Sequence, residues 1–140
     1  MTLWAITRSP LIYGADIREP SLTADDFALM TNERVLAVSA NSRGNRQVLS
    51  EGGVVVWRAS GAATSTVADP DAYVALMNYN QHAVSASVTY QQLAQGHAYK
   101  TSCLVTDLWS GKSLGQMNDA VTAQLAASNG AALYSLSSCQ

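Results

Sequence analysis

A chain of 140 residues makes one ordinary domain, or one domain with a fragment of another, and 48% hydrophobic content is enough for a real core. Only 13% of residues are charged, about half the usual share, which fits a β-rich chain or one whose surface is covered by something else. A net charge of −2 leaves no basic footprint for nucleic acid, and no apolar run reaches the roughly 18 residues of a membrane span. The N-terminus lacks a charged leader followed by a long apolar region. It therefore reads as the middle of a domain and not as a signal peptide. There is no Asn-x-Ser/Thr sequon.

In chain order, Leu3-Trp-Ala-Ile6 reads as the tail of a helix or a short apolar lead-in. Pro10 can open a strand but not sit inside one, so a strand is expected over 11–13, from Leu11 to Tyr13, stopping at Gly14. A helix follows. Thr23 can cap it, and Asp25 and Asp26 lie in its first turn, where the positive end of the helix favours carboxylates. Phe27, Leu29 and Met30 give it an apolar side, and Asn32 is its expected stop. Residues 35–38 form a short apolar segment that docks or bridges. The polar, turn-rich stretch 41–46 marks a boundary, giving a strand-helix unit over 1–45 and a β domain over 46–140.

Beyond that boundary the chain reads as β. Strands are expected over 54–57, 73–79 and 83–90. In the last of these Val84, Ala86, Val88 and Tyr90 alternate with Ser85, Ser87 and Thr89. Residues 91–95 are a short connection, and 61–71 a small-residue loop ending in Asp69-Pro70-Asp71, a solvated turn. A strand over 99–108 leads to the turn Ser110-Gly111 and a short return over 112–114 that Gly115 breaks. Strands over 121–125 and 131–136 complete the set. Short strands at close spacing with Gly/Asn turns indicate a sandwich. Trp109, at a strand end, should anchor a core.

Cys103 and Cys139 have no metal-ligand spacing, and His82 and His97 do not complete a cluster, so no metal or cofactor is expected. Both cysteines lie in strand-like runs, where small buried thiols are the ordinary reading. A Cys103–Cys139 disulfide stays open, because spacing does not reveal pairing geometry.

Asp107-Leu-Trp-Ser-Gly111 followed by Leu114-Gly115 resembles the closing sandwich of the α-galactosidase (melibiase) family of glycoside hydrolases. Leu3-Trp-Ala-Ile6, Ser9-Pro-Leu-Ile12 and Gly14-Ala-Asp-Ile-Arg18 are similar to the approach and eighth strand of that family's (β/α)₈ barrel. Residues 23–38 resemble its last helix. Val56-Trp57, Val74-Ala-Leu-Met-Asn78 and Gly130-Ala-Ala-Leu133 resemble sandwich motifs in the same order. The resemblance implies a mainly β chain: an antiparallel Greek-key β-sandwich preceded by a strand-helix remnant of the barrel, with Trp57, Asn78 and Trp109 as structural anchors. Where the family has Asn-Gln-Asp-Pro-Leu-Gly and Pro-His-Gly, this chain has Ser39-Ala-Asn-Ser-Arg-Gly44 and Ser128-Asn-Gly130.

Retaining glycosidases of this kind use two carboxylates about 5 Å apart, a nucleophile and an acid/base. The resemblance places both on earlier barrel strands that nothing here resembles, so no catalytic residue is assigned. Tyr13, Gly14 and Asp16 would lie at the mouth of a barrel strand, where substrate-binding loops gather. Asp16 and Arg18 are expected to hold that loop together by hydrogen bonds or an ion pair. The chain then reads as a C-terminal fragment or truncated homologue of a retaining α-galactosidase-like hydrolase, inactive alone. The alternative is a non-catalytic carbohydrate-binding or docking sandwich. Expected partners are a second copy or a separate catalytic barrel, engaged through residues 1–45, and α-galactoside sugars, without nucleic acid or membrane. Family relatives are often secreted or lysosomal.

Overall fold

The computed structural model describes residues 1–140 except 15, 17, 19–21, 62–70 and 96–99. Most of the 61–71 loop, with Asp69, His97 and Tyr99, thus lies outside the described residues. Eight strands form an antiparallel sandwich: β1 (Arg43–Glu51), β2 (Val54–Ser60), β3 (Ala72–Asn78), β4 (Val84–Thr89), β5 (Ser102–Asp107), β6 (Ser113–Asn118), β7 (Ala120–Leu125) and β8 (Ala131–Ser137). One sheet has the order β1-β2-β3-β8-β5-β6, and the other pairs β4 with β7. Strand β8 returns between β3 and β5, so the chain crosses between sheets before closing the larger one.

All seven residues of β3 are buried, which requires cover on both faces. Towards the small sheet, Ala72, Val74 and Leu76 join Val56, Val105 and Leu136 against Val88, Val121 and Leu125. On the opposite face, Tyr73, Ala75 and Met77 join Ala59, Leu108 and Leu133. Ala5 and Ile6 of α1 (Thr2–Ile6), with Val35 and Val38 of α3 (Glu33–Asn41), complete that second cluster. The result is three layers: helices, six-stranded sheet, two-stranded sheet.

Several elements differ from the sequence reading. Residues 35–38 are not a bridge but the middle of α3, where Val35 and Val38 share one buried face. Asn32 starts α3 instead of stopping the preceding helix. Its Oδ1 accepts the N–H groups of Arg34 and Val35 at 3.1 and 3.3 Å, while α2 (Ala24–Met30) ends on Thr31. Thr23 caps α2 through a reciprocal capping box with Asp26, but no α2 residue is buried, so the Phe27 side is uncovered. The expected strand over 11–13 forms no ladder among the described residues. A lone strand has no neighbour to satisfy its backbone, and Ile12 is 84% exposed.

Strand β1 was hidden by its polar composition. It is a sheet edge, paired only with β2, and two register shifts interrupt that pairing. The connection after β4 is a helix, α4 (Tyr90–Ala94), announced by the Thr89-x-x-Gln92 capping box. Gly115 does not end β6. The strand passes through it at φ +82°, beside a register shift opposite Val105 and Thr106, and continues to Asn118.

Cys103 and Cys139 are not free thiols but a disulfide, with Cα atoms 4.1 Å apart. It ties β5 to the segment after β8, where Gln140 and Ser102 also exchange backbone hydrogen bonds. The sequence separation is 36 residues, for which loop-closure entropy gives a stabilisation of about 4 kcal/mol. Reduction should therefore lower the thermal unfolding midpoint clearly. Superimposable melting curves with and without reductant would show that the cross-link constrains nothing.

Candidate functional site

The Asp107–Gly111 turn is the join between the sheet and the helical layer. Asp107 organises it by accepting the N–H groups of Trp109 and Ser110, each at 3.2 Å, and the Ser110 hydroxyl. Gly111 has φ +74°, and a Cβ there would come within 2.9 Å of the Arg34 guanidinium carbon, so the position suits glycine on both counts. Arg34 Nε donates to the Leu108 carbonyl at 3.1 Å. Asn32 Nδ2 donates to the Trp109 carbonyl at 3.0 Å, so the start of α3 is latched to the turn. Trp109 itself is half-buried, and its Nε1 donates to the Thr2 hydroxyl of α1 at 3.0 Å. One residue thus touches the sheet turn, α1 and the start of α3.

Trp57 is also half-buried and packs on the same helical-side cluster. Asn78 is fully buried and holds the far end of the sandwich. Its Nδ2 donates to the His82 and Ala126 carbonyls, both at 2.8 Å, and its Oδ1 accepts the Asn80 N–H at 2.9 Å.

Two concavities share Trp109 and Leu29. One, of about 520 Å³, lies between α2 and the start of α3 and includes Asn32 and Arg34. The other, of about 400 Å³, lies beside α1 and includes Leu3, Met77 and Tyr79. Leu29, which lines both, is exposed, and so are Trp4 (57%) of α1 and Phe27 of α2. Exposed large apolar side chains, where they form a contiguous patch, mark a covered or interacting surface more often than a free one.

Tyr13 and Gly14 are exposed and line neither cavity. Asp16 is held by Arg18 through a two-pronged contact, Nε to Oδ1 at 3.0 Å and Nη2 to Oδ2 at 2.9 Å, and it also accepts the Arg18 N–H. That guanidinium keeps the Asp16 carboxyl below its ordinary range. The Asp26 carboxyl is lowered as well, by the Thr23 N–H and hydroxyl. Asp71 accepts the Cys139 N–H at 3.0 Å. These carboxylates are engaged in turns, caps and tethers. Among the described residues no three His, Cys, Asp or Glu side chains gather as metal ligands, and no helix is long and apolar enough to cross a membrane.

Residues 51–136 match the family described as the α-galactosidase C-terminal β-sandwich domain. The chain belongs to that family. This α-galactosidase C-terminal sandwich is 29% identical over 137 residues to α-galactosidase A of Aspergillus niger, a match taking 96% of the chain and 23% of the relative. A β-L-arabinopyranosidase from Geobacillus stearothermophilus superposes with a TM-score of 0.83 at 31% identity, over 97% of this chain and 28% of that one. α-Galactosidase I from Mortierella vinacea shares the fold at a TM-score of 0.83 and 23% identity, over 99% of this chain and 35% of its own. Coverage of 97% or more carries the likeness beyond 51–136 into the helical layer. The chain spans between 23% and 35% of the length of these proteins.

The latch formed by Arg34 and Asn32 was missed by sequence reasoning. The available signal was a cation in the first turn of a helix, against the local dipole, which asks for a nearby acceptor. Trp109→Ala should cost about 3 kcal/mol, the low end for an aromatic truncation because the ring is only half-buried, and Trp109→Phe about 1 kcal/mol for the lost hydrogen bond to Thr2. Chemical denaturation checks both values. A Trp109→Ala loss under about 0.5 kcal/mol, the range of an ordinary surface change, would remove Trp109 from its bridging role.

Proposed function

We propose that this sandwich and its helices are the accessory C-terminal part of a retaining α-galactosidase-like hydrolase, and that the chain alone does not hydrolyse α-galactosides. The carrying observation is the helical layer: α1 and α3 cover the outer face of the large sheet, yet Trp4, Ile12, Phe27 and Leu29, all within the first 30 residues, remain exposed. These exposed apolar side chains are the contacts for a catalytic barrel, whose carboxylate pair would supply the nucleophile and the acid/base. Tyr13, Gly14 and Asp16 then belong to the loop at the barrel mouth, with Asp16 positioned by Arg18. The disulfide supports an oxidising compartment, as for a secreted or lysosomal hydrolase.

A stand-alone sugar-binding sandwich is less well supported, because Trp57 and Trp109, its best stacking candidates, are half-buried in the helical-side packing. The discriminating experiment is an assay of the purified chain with a nitrophenyl α-galactoside. Release of nitrophenol should not exceed the buffer blank. Turnover by the chain that vanishes in Asp16→Asn would overturn the proposal and make Asp16 catalytic.

A further inference from the structure

A third cavity, of about 250 Å³, opens at the disulfide end of the sandwich, away from the helical layer. Its apolar wall comes from Leu93 and Ala94 of α4 and Leu136 of β8, beside the Cys103–Cys139 bridge. Tyr90 also lines it, but the Tyr90 hydroxyl is committed to the Met117 carbonyl at 3.0 Å. The polar lining is Arg58, Lys100 and Asp71.

The charges here do not balance. Arg58 is half-buried and lies directly opposite Arg46 in the β1–β2 pairing, an arrangement of like charges that costs stability. Burial and the Arg46 charge both weaken the hold of Arg58 on its proton. Arg46 turns to the Gln95 side-chain oxygen at 2.8 Å. Among the described residues Arg58 and Lys100 form no ion pair with a carboxylate; the pair found there is Asp16–Arg18. Asp71, the carboxylate in the wall, instead accepts the Cys139 N–H at 3.0 Å. Among the described residues the lining thus holds two cations against the single carboxylate of Asp71, and this positive balance over an apolar floor, in a chain of net charge −2, suits an anion.

Size and lining narrow the guest. The cavity lies below the range of about 300–1,000 Å³ for drug-sized ligands, so it takes one ring or a short branched chain. The floor offers carbon and not hydroxyl partners. We propose that this cavity binds a small amphipathic carboxylate, its charge between Arg58 and Lys100 and its apolar body against Leu93, Ala94 and Leu136. The site is distinct from the helical face and does not depend on the hydrolase reading.

Titration of the intact 140-residue chain by amide NMR tests this, with benzoate as the probe, benzyl alcohol as its neutral counterpart and acetate as the charge without the ring. Benzoate should give saturable shifts at Leu93 and Ala94, with benzyl alcohol and acetate at least about tenfold weaker. Arg58→Gln and Lys100→Gln should each weaken benzoate by about tenfold, the loss of one charge-assisted hydrogen bond. Lys100 is exposed, so its variant keeps the test readable even if Arg58→Gln fails to fold. Absence of saturable benzoate shifts, equal binding of benzyl alcohol, or unchanged binding in Lys100→Gln would overturn the proposal.

Discussion

The need to cover both faces of β3 governs this structure. A strand buried along all seven residues cannot belong to a sheet with one wet face, so the six-stranded sheet must carry a layer on each side. The two-stranded sheet and α4 supply one layer, and α1 and α3 supply the other. Burying a large aliphatic or aromatic side chain contributes about 1.5–3 kcal/mol, so uncovering Ile6, Val35, Val38, Met77 and Leu133 together would cost on the order of 10 kcal/mol. That is an upper figure, yet it equals a typical whole-domain stability of about 5–15 kcal/mol. The core therefore crosses residue 45, and the helices are part of the same folding body as the sheet.

Polar contacts give that packing its register. Apolar contacts between helix and sheet are not directional, whereas Arg34 and Asn32 reach two particular carbonyls in the Leu108–Trp109 turn, and Trp109 reaches back to Thr2. Asp107 and Gly111 shape that turn for the purpose: the carboxylate organises its N–H groups, and the glycine leaves room for the guanidinium. This gives a physical reason for the Asp-Leu-Trp-Ser-Gly string. Its acid, its tryptophan and its glycine each meet a different demand of one joint.

What was legible in the sequence followed from local rules. The run 73–79 showed a strand, which proves to be Ala72–Asn78, the alternation that begins at Val84 showed another, which ends at Thr89, and Thr23 with Asp26 showed a capped helix start. Elements whose state depends on distant partners were not legible. Strand β1 is polar because it is an edge, and residues 11–13, apolar enough for a strand, have no neighbour to pair with among the described residues. The short run 35–38 hid a helix because only the Val35–Val38 pair reports its period. The disulfide depends on β5 and the chain end meeting in space. The cavity beside it draws on residues from 58 to 139, so no local motif could announce it.

The central claim, that helices and sheet form one cooperative body, is tested most directly by native-state hydrogen exchange of the intact chain. Amides of α3 around Val38 should exchange with the same opening free energy as those of β3 around Val74 and Leu76, because the helical layer cannot leave without uncovering the sheet. Exchange in α3 faster by several orders of magnitude, with β3 still protected, would show a separable helical layer and contradict the account.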